Sequence, residues 1–104
     1  MRTVAETLIF QRYAAEVWSP AEREHFISFI AANPAAGDLI RGSGACRKVR
    51  WFTSGQGNSG GARVIYFNAD DATIWSLIVD KKAKLDDLPT SFLVELKQGV
   101  EDAL

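Results

Sequence analysis

The chain reads as an α+β protein: helices first, then an antiparallel meander, then a helix. Three observations carry that reading. Ser19-Pro20-Ala21-Glu22 has the composition of a helix start, and Cys46 to Phe52 alternates residue by residue. Near the end, Phe92, Leu96, Val100 and Leu104 recur at every fourth position.

Taken in order, residues 3–7 read as a short strand and residues 8–17 as a short helix carrying Leu8, Ile9 and Tyr13. At Ser19 the signal sharpens. Serine at the cap, proline at the first helical position and glutamate at the third form a capping box. Phe26, Phe29 and Ile30 then give an apolar stripe at i, i+3, i+4, and Asn33-Pro34 ends the helix. The two helices meet at Trp18-Ser19. After Gly37 the period changes. Cys46 to Phe52 places Lys48 and Arg50 on one face and Val49 and Trp51 on the other, as in a half-buried strand. Residues 62–68 and 73–79 are rich in β-branched and aromatic side chains and read as two more strands. The polar turn Asn68 to Ala72 joins them into a hairpin. Thr53 to Gly61 links the first two of these strands and contains four glycines, but it lacks the GK[ST] ending of a phosphate-binding loop. Thr90 to Leu104 reads as an amphipathic C-terminal helix.

At 104 residues, 47% hydrophobic and 24% charged, the sequence has the balance of one globular domain, residues 1–104, rather than a disordered chain. No apolar run reaches the length that spans a bilayer, and the N-terminus meets Glu6 too early for a secretion signal. A lone Cys46 and a lone His25 suit a reducing cytoplasm and leave no Cys/His zinc site. No metal or cofactor is expected. The net charge of −1 conceals a zoning. Residues 1–37 hold three basic and four acidic side chains, residues 38–84 eight and four, and residues 85–104 one and five. The positive middle is where an anion would be met, although any wet sheet face also collects Lys and Arg.

Asn33-Pro34-Ala35-Ala36-Gly37-Asp38, then Arg47-Lys48-Val49-Arg50-Trp51, then Ser59-Gly60-Gly61-Ala62-Arg63-Val64-Ile65-Tyr66-Phe67 resemble the RelE/HigB toxins, particularly their HigB-like branch. The resemblance spans residues 4–100. It implies two N-terminal helices packed on a small twisted antiparallel sheet, with a C-terminal helix. It implies the toxin of a type II toxin–antitoxin system, a ribosome-dependent mRNA endoribonuclease in the cytoplasm. It further implies an antitoxin partner with a helix-turn-helix domain, through which alone operator DNA is bound. Three positions depart from the family pattern: Asn58 replaces a lysine, Phe67 a tyrosine, and Val79-Asp80 the start of a Tyr-Ala-Lys. Two other readings of the same scaffold stay open. One is a ParE-like inhibitor of DNA gyrase, and the other an antitoxin-binding protein with weakened catalysis.

RNA cleavage by the 2′-hydroxyl needs a base, cations for the phosphorane and an acid for the leaving oxygen. His25, on the capped helix, reads as a surface residue without a partner. The chemistry then falls to Lys and Arg, as the resemblance implies. Arg63 follows Gly60-Gly61 and lies in a strand of Val, Ile, Tyr and Phe. It is either the guanidinium that stabilises the transition state or one side of a salt bridge to Asp70 or Asp71 across the hairpin. Lys81 and Lys84 match the family's lysine cluster as catalytic candidates, or form a solvated basic turn. Arg47, Lys48 and Arg50 are candidates for a phosphate-contacting row, and equally fit a wet strand face. Tyr66 is either a base-stacking residue or core. Trp51 and Trp75 read as core.

Overall fold

The structure is a computed structural model and describes residues 1–51, 61–81 and 85–104. Thr7 opens the first helix: its hydroxyl accepts the Phe10 N–H at 3.0 Å, one of the amide donors a helix start leaves unpaired. Helix α1 (Leu8–Val17) buries Phe10 and Ala14. The next start is the capping box. Ser19 Oγ accepts the Glu22 N–H at 3.2 Å, and Glu22 Oε1 accepts the Ser19 N–H at 2.8 Å. Helix α2 (Pro20–Ala32) stops at Asn33, ahead of Pro34. Between the helices Trp18 is buried, its ring edge-on to Phe10 and stacked on Phe26 at 5.3 Å.

Strand β1 (Thr3–Glu6) precedes these helices; β2 (Asp38–Leu39), β3 (Arg47–Trp51), β4 (Ala62–Asn68) and β5 (Thr73–Lys81) follow, and α3 (Thr90–Ala103) ends the chain. The five strands form one sheet in the order β1-β5-β4-β3-β2. From β2 to β5 neighbours are antiparallel, as the meander requires, but β1 runs parallel to β5. The sheet is therefore mixed rather than purely antiparallel. Most of the chain lies between these two strands, ample for the crossover that a parallel pair needs. Strand β2 has only two residues, too few to show a period, and β5 runs two residues beyond the expected Val79.

Each sheet face has its own core. On one, Val64, Tyr66, Ile74 and Val79 pack against Phe10, Phe26 and Ile30 of α1 and α2. On the other, Ile65, Phe67, Leu77 and Ile78 pack against Leu93 and Val100 of α3. Fully burying one such side chain contributes ~1.5–3 kcal/mol. A bulge adjusts the second face. Ile65 pairs with Ile78 but Tyr66 with Ser76, so Leu77 is the extra residue, and adjacent Leu77 and Ile78 both join the α3-side core.

Tyr66 ties the sheet to the loop after α2. Its ring is fully buried; its hydroxyl donates to the Pro34 carbonyl at 2.9 Å and accepts the Gly37 N–H at 2.9 Å. Asn68 Nδ2 donates to the same Pro34 carbonyl at 3.1 Å, and Arg47 Nη1 to the Gly37 carbonyl at 2.6 Å. Position 37 must be glycine for closeness. A Cβ there would stand 3.0 Å from the Lys48 carbonyl group and from the Tyr66 ring.

Tyr66→Phe strands the buried Gly37 N–H and is expected to cost about 1–3 kcal/mol, read as a lower Tm. Burial pushes the Tyr66 phenol above its ordinary 10.0, and the Cys46 thiol above its ordinary 9.0. Both groups are neutral in the fold and ionise more readily in the unfolded chain. Their stabilisation is complete below those ordinary values and is lost as pH rises through the raised ones. Tm should hold to about pH 9 and then decline. In Tyr66→Phe only the thiol part of that decline remains; an unchanged alkaline limb would show that the phenol does not contribute.

Candidate functional site

Antiparallel partners share a face, so the strand registers assign each charged side chain to one side of the sheet. Asp38, Lys48, Ile65 and Ile78 form one cross-sheet row, and Arg50, Arg63 and Asp80 form the next. Ile65 and Ile78 lie under α3. The charged row continues that face beyond the apolar patch, and there a cleft of about 370 Å³ is lined by Asp38, Lys48, Arg50, Arg63 and Asp86.

Two features set the electrostatics of this cleft. Arg50 and Arg63 stand directly opposite each other on β3 and β4. Like charges across a strand pair are destabilising unless offset, and Asp80 stands opposite Arg63 on its β5 side. Arg63 is the deeper of the two at 5% exposure, whereas Arg50 is exposed. Second, Lys48 Nζ donates to Asp86 Oδ1 at 3.0 Å, with both side chains about one-third exposed (37% and 35%). Among the described residues the cleft lining thus holds three cations and two carboxylates, with Asp80 next to Arg63 in the register. Among the described residues no cluster of three His, Cys, Asp or Glu side chains is arranged to hold a metal ion.

Of the residues singled out from the sequence, Lys48, Arg50 and Arg63 meet in the cleft. Arg47 does not belong to their row. It pairs with Tyr66 on the opposite face, and its guanidinium is committed to the 33–38 loop. Tyr66 is no stacking platform, because its ring is fully buried and its hydroxyl joins that loop. Lys81 pairs with Ala62, which belongs to the α1/α2 core, so its register position is on the far face from Arg63. Lys84 and Asn58 lie outside the described residues. The two remaining departures from the family pattern, Phe67 and Val79, are buried core positions, one under each face. His25 is exposed on α2, on the side away from the cleft. Trp51 packs on Phe29 at 4.8 Å and Trp75 against the α3-side core, both as expected of core residues.

The proposed pairing of Arg63 with Asp70 or Asp71 does not occur across the hairpin. Asp70 caps the turn at the far end of β4, accepting the N–H groups of Ala72 and Thr73 at 2.7 and 2.8 Å, and the residue opposite Arg63 is Asp80. Asp38 and Asp86 are the cleft residues that the sequence did not disclose. Asp38 is visible only once β2 is known, and Asp86 reaches Lys48 from 38 positions away.

No family model matches the chain. Among solved structures, it is similar to the toxin RelE of E. coli, in a form with two arginines replaced by alanine and in the free state. The match has 18% sequence identity and a TM-score of 0.53, and covers 81% of this chain and 87% of that one. The chain has the RelE-like fold: helices α1 and α2 on one sheet face and a C-terminal helix on the other.

The cleft predicts a measurable salt response. Affinity for a single-stranded RNA oligonucleotide should fall steeply between ~50 and ~200 mM salt, and Arg50→Ala should reduce the slope by about one ion. Arg47→Ala should leave the slope unchanged and lower Tm instead. A flat response in the wild-type protein would mean that the cleft does not meet a polyanion.

Proposed function

We propose that the protein is the toxin of a type II toxin–antitoxin pair, an endoribonuclease that cuts mRNA on the ribosome. One observation carries this reading: two facing guanidiniums, one buried and one open to solvent, line a polar cleft on a RelE-like fold. In the proposed reaction the 2′-hydroxyl attacks the adjacent phosphorus and the bond to the 5′-oxygen breaks. A 2′,3′-cyclic phosphate and a free 5′-hydroxyl result. Arg63, held by the strands on either side of it, presents a planar fork to two phosphate oxygens and stabilises the charge that builds on them. Arg50 and Lys48 supply the outer contacts to the RNA backbone. The reaction needs no metal or organic cofactor.

The proposed partner in the resting cell is an antitoxin with a helix-turn-helix domain, which would cover the cationic cleft and carry the complex to operator DNA. Co-expression with the product of the neighbouring reading frame should yield a stable complex that binds DNA when the isolated chain does not. Recovery of the free chain alone would count against this partner. No helix among the described residues is long and apolar enough to cross a membrane.

Arg63→Ala is expected to slow cleavage by about 10²–10³-fold, equivalent to roughly 3–4 kcal/mol of transition-state stabilisation. Arg63→Lys should recover little of this, since a point charge does not replace a bidentate fork. Cleavage is read by mapping mRNA 5′ ends on translating ribosomes, with a thermal melt of the same variant alongside. Full activity at reduced Tm would make Arg63 structural. Absence of cleavage by the wild-type protein, with inhibition of DNA supercoiling, would turn the reading to gyrase.

A further inference from the structure

The cleft explains how a phosphate is held but leaves the protons unassigned. Arginine does not act as a base near neutral pH. His25 faces away, Tyr66 Oη is committed to the loop, and the register of Lys81 places it on the other face. Among the described residues, the cleft-lining groups able to exchange a proton are Asp38, Asp86 and Lys48. Asp86 and Lys48 are already joined at 3.0 Å, and both are open to solvent over about a third of their side chains (35% and 37%), so a substrate can reach them. Lys48 stands on β3 one row from Arg50 and Arg63, and Asp86 meets it from the stretch ahead of α3, so both groups border the position where the guanidiniums would hold a phosphate.

We propose that Asp86 and Lys48 are the proton-transfer couple of the RNA cleavage proposed above, an assignment that rests on that reading. The Asp86 carboxylate takes the proton of the 2′-hydroxyl as that oxygen bonds to phosphorus. The Lys48 ammonium gives a proton to the 5′-oxygen as its bond to phosphorus breaks. Asp86 is then protonated and Lys48 neutral. When product leaves, the two close to their 3.0 Å contact and the proton passes from carboxylic acid to amine, restoring the starting ion pair. No proton is gained or lost over the cycle, and no other reactant is needed. The salt bridge thus serves as the resting and resetting state of the site.

The test uses the full chain on ribosomes programmed with an mRNA cut at a mapped position, and the same mRNA with sulfur in place of the 5′-oxygen there. A thiolate leaves without protonation, so the sulfur substrate needs the base but not the acid. Asp86→Asn should slow both substrates by about 10²–10⁴-fold. Lys48→Ala should slow the oxygen substrate comparably and be restored to within about tenfold of wild type by sulfur. Lys48→Arg, which keeps the charge beside Asp86 but holds its proton, should behave like Lys48→Ala. This last variant also guards against a simple loss of folding. Wild-type rates in Asp86→Asn, or failure of sulfur to rescue both Lys48 variants, would overturn the couple. If Arg63→Ala is impaired in that same assay, the RNA-cleavage reading survives its loss. If the wild-type chain cuts neither substrate, the reading itself fails and the couple with it.

Discussion

One buried phenol organises the edge of this molecule that carries the cleft. Tyr66 Oη sits between the Pro34 carbonyl and the Gly37 N–H, so the strand at the centre of the sheet determines where the chain runs after α2. Leaving either backbone group buried and unpaired would cost on the order of 1–3 kcal/mol. With the loop held, Asp38 and Leu39 pair with Lys48 and Arg47, and Asp38 reaches the cleft wall. Arg47 reinforces the same loop from β3. A residue at first sight part of the cationic surface thereby becomes scaffold, and its neighbours Lys48 and Arg50 are left to line the cleft.

The bulge at Leu77 has a complementary effect on the opposite side of β4. Without it, Leu77 and Ile78 would point to opposite faces, and every residue beyond would change sides. With it, both enter the α3-side core, while Val79 returns to the α1/α2 core and Asp80 falls opposite Arg63. The charged row of the cleft is therefore a consequence of one extra residue in an apolar stretch. The wider pattern of the sheet follows from ordinary burial: apolar residues lie under the helices, and charge lies where α3 no longer covers the face.

Much of this architecture was legible in the sequence. Ser19-Pro20-Ala21-Glu22 set the start of α2, and the alternation through Lys48, Val49, Arg50 and Trp51 set the faces of β3. These are local signals, decided by hydrogen bonds and burial within a few residues. The remainder depends on registers between distant segments. The direction of β1 follows from its pairing with β5, and β2 is too short for any period. Nothing local separates Tyr66 as a loop tie from Tyr66 as a stacking surface, because both uses suit a strand of Val, Ile and Phe. Asp86 is a further case. In the sequence it is one more acidic residue of the C-terminal stretch, and only the fold brings it to Lys48.

The facing pair Arg50 and Arg63 also bears on the energetics of the free chain. Like charges facing each other across a strand pair are destabilising unless other charges offset them, and Asp80 stands opposite Arg63 on its other side. Any anion that bridges Arg50 and Arg63 relieves the repulsion. By linkage, a ligand that binds only the folded form adds RT ln(1 + [L]/Kd) to its stability. A ligand that bound the cleft of the folded form alone would therefore add to the stability of the fold. Occupancy of the cleft and stability of the fold would in that sense be linked through one equilibrium.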